Sequence, residues 1–206
     1  HLAHALSQDN NHGVSECVGL IAIGLLLPGE REAAHWLARG TRELEAQLAR
    51  LVYDDGGFSQ HSLVYHRILL HDLCWCRWRF DLCQRRTPEW LDAAAGRALT
   101  HLMVVTDLHT GRAPLFGSND GADVLPLADA DFLDMRPVLQ LTSALFRNEL
   151  FGPPGAWDEA AAWMKPGWQT LSRVWRVTPA IWHAPTSGNL QLQSGRARLF
   201  LRCPTH

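Results

Sequence analysis

Apolar residues recur at three- and four-residue steps through most of the chain before about position 165, which restricts that span to packed helices. Val14, Cys17, Val18, Ile21 and Leu25 form a first stripe, stopped by Pro28-Gly29. Ala33, Ala34, Leu37, Leu44, Leu48 and Leu51 form a second, ending at the turn signal Asp54-Asp55-Gly56-Gly57. A third helix is expected from near Ser59 to about Gln84. Thr87-Pro88-Glu89 then reads as N-cap, first-turn proline and first-turn acid of a fourth, which carries Leu91, Ala94, Ala95, Leu99 and Leu102. Helices resume near 137–149 and 157–164. From about residue 170 the texture alternates (Val174, Trp175, Val177, then Leu190, Leu192, Ala197, Leu199 and Leu201), which predicts strands. The fold class is therefore mainly α, with a β-rich part beginning near residue 170.

Between Asp107 and Asp134 the helical period fails, and Gly, Pro, Asn and Asp crowd together. A connection this long is usually functional or disordered. With 47% hydrophobic and 19% charged residues the chain builds a real core. Its net charge of −2 gives no general pull toward nucleic acid or an anionic membrane, so an anionic ligand needs a local cluster. The 11 histidines raise the charge near pH 6, so polyanion binding is expected to strengthen in mild acid. The five cysteines form no CxxC pair, and the three inside an apolar helical run read as buried thiols, which argues mildly against a strongly oxidising compartment. No apolar run reaches the roughly 18 residues of a membrane span. The first residue is His1, so the sequence is read as starting inside a longer protein or after processing.

Three clusters carry polar chemistry. Asn10-Asn11-His12 precedes Ser15 and Glu16, and His12 and Glu16 share a helix face at four-residue spacing. Its plain structural reading is an asparagine cap followed by a surface histidine. The second is Gln60-His61-Ser62-Leu63-Val64-Tyr65-His66-Arg67. Here His61, His66 and His71 recur every five residues, which spreads them around a helix by about 140° per step and disfavours one metal site. The third is Gly117-Ser118-Asn119-Asp120-Gly121-Ala122, readable as a plain turn or as a ligand loop. Most of the nine tryptophans are expected in the core.

Taken in order, these clusters resemble the heparinase II/III-like polysaccharide lyases. The resemblance rests on Asn-Asn-His, Ser-Glu-x-x-Gly-Leu, Trp36 and Gly40, Tyr53 to Gly56, and Gln-His-Ser-x-x-Tyr-His-Arg. Gly-Arg-x-Pro at 111–114, Gly-Ser-Asn-Asp-Gly-Ala at 117–122, Leu-Pro-Leu at 125–127 and Asp-Met-Arg-Pro at 134–137 extend it. It covers about residues 8–146 and is similar to the branch associated with bacterial surface-polysaccharide gene clusters. It implies an incomplete (α/α) toroid of helical hairpins over 1–169 and the first strands of a C-terminal β-sandwich over 170–206, with the cleft between them.

The implied activity is β-elimination on a uronate-containing, glycosaminoglycan-like or alginate-like anionic polysaccharide. By this resemblance Tyr65 is base and acid, Asn11 binds the uronate carboxylate, and His12 assists. Asn10, Glu16, Gln60, His61, His66, Arg67, Asn119 and Asp120 line the cleft. The family's metal-binding residues lie in the β domain, so no cofactor is expected within these residues. The implied location is periplasmic or secreted, with a cytoplasmic one left open. Two other readings stand beside it. One is an inverting glycoside hydrolase using a pair among Glu16, Asp55 and Asp120 at about 6.5–9.5 Å. The other is a non-catalytic glycan-binding or assembly component of a polysaccharide export system.

Overall fold

The structure, a computed structural model, describes residues 2–174, 179–195 and 197–203. Trp175 and Val177 of the expected alternation lie outside the described residues. Among the described residues seven α-helices, α1 (Leu2–Ser7), α2 (Asn11–Leu26), α3 (Ala33–Leu51), α4 (Leu63–Leu82), α5 (Glu89–Val105), α6 (Arg136–Phe146) and α7 (Glu159–Met164), take up about half of the chain. The strands are β1 (Glu149–Phe151), β2 (Ser172–Val174), β3 (Ile181–Ala184), β4 (Asn189–Ser194) and β5 (Ala197–Arg202). None of the described helices is long and apolar enough to cross a membrane.

Helix α2 begins where Asn10, in an extended conformation, accepts a hydrogen bond from the His12 amide at 3.0 Å. It turns Val14, Cys17, Val18, Ile21 and Leu25 inward and pairs with α3, which buries Leu44, Leu48 and Leu51. Helix α4 is buried on nearly every side, through Val64, Ile68, Leu69, Leu70, Leu73, Cys74 and Cys76, as expected of a helix enclosed by neighbours. It packs on α2, α5 and α6. Two contacts fix the direction of α2 against α4: Ser15 Oγ donates to Asp72 at 2.6 Å, and Cys83 Sγ lies 3.7 Å from the Leu25 carbonyl. The two helices are therefore parallel, and their N-termini meet at one end.

The cysteines are free thiols: Cys17, Cys74 and Cys76 are buried, Cys83 is half-buried and Cys203 exposed. Burial pushes the three buried thiols up to about 12, so they act as small apolar side chains.

β1 and β2 form a short parallel pair. β3, β4 and β5 form an antiparallel sheet with Ile181, Leu192 and Leu199 in one cross-strand row and His183, Leu190 and Leu201 in the next. One face of this sheet docks on α5. Trp182 meets His101 edge-on at 4.8 Å, and Gln191 and Arg198 both donate to the Val104 carbonyl, at 3.2 and 3.0 Å. The turn between β3 and β4 plugs into the turn after α3. Asp55 accepts from the Ser187 amide at 2.8 Å and from its hydroxyl at 3.2 Å, while Asn189 meets His101 at 3.3 Å. A Cβ on Gly57 would come within 2.3 Å of Ser187 Cβ, so this approach requires glycine. The other face of the sheet leaves Ile181, Leu199 and Leu201 exposed.

Candidate functional site

Ser62 caps α4 by accepting from the Tyr65 amide at 3.2 Å, and its hydroxyl donates to the Ser118 carbonyl at 2.6 Å. One side chain thus starts the helix and anchors the long loop. Gly117 completes the anchor. Its φ is +75°, and a Cβ there would lie 2.4 Å from the His61 carbonyl oxygen. From this point the loop runs along α4 in the same direction. Asp120 accepts a hydrogen bond from the Tyr65 hydroxyl. Arg67 donates to the Ala122 carbonyl at 2.6 Å and to the Phe132 carbonyl. Asp123 lies 3.7 Å from Arg67 and 3.5 Å from His71. The 107–134 stretch is therefore a strap tied to α4.

The Tyr65–Asp120 pair sits where the N-termini of α2 and α4 meet. The phenol is held above the ordinary tyrosine range, first by its hydrogen bond to Asp120, then by burial and the Asp120 charge. Asn11 lies one turn before Ser15, about 6 Å along the axis, and Tyr65 two turns before Asp72, about 10 Å. The Ser15–Asp72 contact thus puts Asn11 and Tyr65 on facing stripes near the same mouth. Asn11 is half-buried, and His12 and Glu16 are exposed on α2. Among the described residues no hydrogen bond or ion pair joins Asn11, His12, Glu16 or Gln60 to Tyr65. Asn10 serves as the cap, and Asn119 accepts from the Gly121 amide at 3.1 Å to shape the loop. His61, half-buried with φ +49°, has its imidazole held below the usual range by burial and by Arg202 of β5.

Two expected cleft residues face the interior instead. His66 is 1% exposed, meets the Ala98 carbonyl at 2.8 Å and stacks on His101 at 5.5 Å. Arg67 is 2% exposed and lies over the Phe132 ring at 4.4 Å. Successive helix residues turn by about 100°, so the two that follow Tyr65 point away from its face. Asp55 is engaged by the β3–β4 turn, which removes it from a hydrolase pair. Ser62, Asp123 and the Ser15–Asp72 contact were missed in the sequence. Ser62 carried a readable cap signal, while Asp123 and Asp72 carried none.

The buried histidines predict acid lability. Burial lowers His66 and His71 from 6.5 to about 3, so both stay neutral when folded and take up protons on unfolding. Their stabilising contribution is present above pH 6.5 and is lost as pH falls toward 3. Asp72, raised from 3.8 to about 7 by burial, acts in the opposite sense and offsets one of the two. His101, lowered by burial as well, adds to the loss, so stability is expected to fall by at least roughly 3 kcal/mol between pH 6.5 and 4. Denaturant midpoints across that window check this, and a flat profile would refute it.

The family model of the heparinase II/III N-terminus matches residues 1–77, which hold α1 to α3 and most of α4 with Asn11, His12 and Tyr65. No curated protein and no solved structure matches the chain. Residues 1–77 are thus similar to the heparinase II/III N-terminus.

Proposed function

We propose that this chain is the helical part of a polysaccharide lyase that cleaves a uronate-containing glycan by β-elimination. The observation that carries this reading is the Tyr65–Asp120 hydrogen bond at the shared mouth of α2 and α4. The helices on either side alternate in direction, with α2 and α4 parallel, as the repeating hairpins of an (α/α) toroid require.

Elimination has three tasks: neutralising the uronate carboxylate, removing the C5 proton and protonating the leaving O4. The Asn11 amide and the His12 imidazole supply hydrogen bonds to the carboxylate as enolate-like charge develops. Asp120 holds the phenol protonated in the resting site, with its pKa raised. For the phenolic oxygen to take the C5 proton, its own proton passes to Asp120. The C4–O4 bond then breaks, the C4–C5 double bond forms, and the proton returns through Tyr65 to O4.

The test follows the ultraviolet absorbance of the unsaturated product on a panel of uronate polysaccharides. Absorbance is expected to rise for the wild-type protein, and Tyr65→Phe is expected to lower the rate at least about 100-fold. New reducing ends without absorbance would replace elimination by hydrolysis. Glycan binding without turnover would make the chain a binding component.

A further inference from the structure

A mostly apolar cavity with polar groups at its edge opens about two helical turns along α4 from Tyr65. It measures about 300 Å³, at the small end for ligand sites, and is lined by His71, Asp72, Trp75, Val124 and Leu125. Its polar groups are incompletely matched. His71 Nδ1 is buried and makes no hydrogen bond, and neither does Asp123 Oδ1, which stands 3.5 Å from it behind the lining. The His71 side chain is only 4% exposed, so its nitrogen has been withdrawn from bulk water without a replacement partner. Trp75 supplies an aromatic surface beside these groups, and Val124 and Leu125 supply apolar ones.

We propose that this cavity is a subsite for one uncharged pyranose ring, packed on Trp75 and hydrogen-bonded by Asp72 and His71. It rests on the reading of Tyr65 as the cleavage site, since Asp72 continues the α4 stripe that Tyr65 begins. An aromatic face flanked by hydroxyl-binding polar groups is what a sugar ring needs. Charge selects which ring. The nearest guanidinium, Arg67, is buried and committed to two carbonyls and Asp123. The lining itself offers a carboxyl and an imidazole, and burial keeps that imidazole neutral. A uronate or sulfate there would give up its water with no cation in the lining to replace it, whereas a neutral hydroxyl can both donate and accept. The glycan would then carry its uronate at Tyr65 and an uncharged, unsulfated ring in the cavity.

The test is saturation-transfer NMR with methyl glucopyranoside and its uronate counterpart on the whole protein, titrated through about 1–50 mM, where weak small-ligand binding falls. The neutral glycoside is expected to saturate, and the uronate to bind at least tenfold more weakly. Val124 is 49% exposed, so Val124→Trp fills the cavity from its rim without entering the core. That variant and Asp72→Ala are each expected to weaken the neutral sugar at least tenfold. Equal or tighter uronate binding, no saturation by the neutral sugar, or indifference to both substitutions would overturn the proposal. The absorbance assay on the same protein is separate: sugar binding kept without elimination sinks the lyase reading alone.

Discussion

Replacing Arg67 by methionine is expected to lower the unfolding free energy by about 3–5 kcal/mol and to free the strap from α4. The guanidinium reaches two carbonyls of the strap, at Ala122 and Phe132, stands 3.7 Å from Asp123, and covers the Phe132 ring. Methionine fills comparable volume but leaves both carbonyls and a partly buried carboxylate unpaired. Lysine is expected to rescue little, because a single ammonium cannot span partners that the planar fork reaches together. Denaturant unfolding measures the loss, and limited proteolysis within 107–134 reports the release. A loss under about 1 kcal/mol with unchanged cleavage would show that the strap is held by its apolar contacts instead.

Asp55→Ala is expected to cost about 3 kcal/mol and to loosen the β3–β4 turn. One carboxylate oxygen accepts from the Gly57 amide at 3.0 Å, and the other takes both Ser187 donors. Ser187 is 1% exposed, so alanine at position 55 strands a buried amide that water reaches poorly. Asp55→Asn keeps one acceptor and should lose about half as much. Hydrogen exchange of the β3 and β4 amides is the specific readout. Alanine should speed exchange there while α2 and α3 stay protected, and uniform acceleration everywhere would mean the turn is not a separate lock.

Sequence periodicity located helices better than it located their ends. The stripe from Ala33 to Leu51 coincides with α3, because its apolar face is long and its charges lie opposite. Helix α4 starts later than the apolar run suggested, since His61 takes a left-handed conformation and leaves Ser62 as the cap. Pro88 takes the cap position expected for Thr87, because its ψ of 139° is extended. Glu149, which the helical period includes at the end of a helix, instead opens β1; so short a segment has too little pattern to declare a strand. Strands after about residue 170 were legible from alternation. At the site, Tyr65 and Asp120 are 55 positions apart, and only the family resemblance linked them in advance. The same resemblance carried His66 and Arg67 into the cleft because motifs are linear, whereas a helix turns consecutive side chains in different directions.

The strap also bears on how a glycan would be received. Ser62, Gly117 and Arg67 fix this wall while the chain folds, before any ligand arrives. The entropy of ordering the wall is therefore spent in folding and does not subtract from binding affinity. A glycan bound at Tyr65 would meet a wall already in place, and association would need side-chain adjustment more than the closing of a lid.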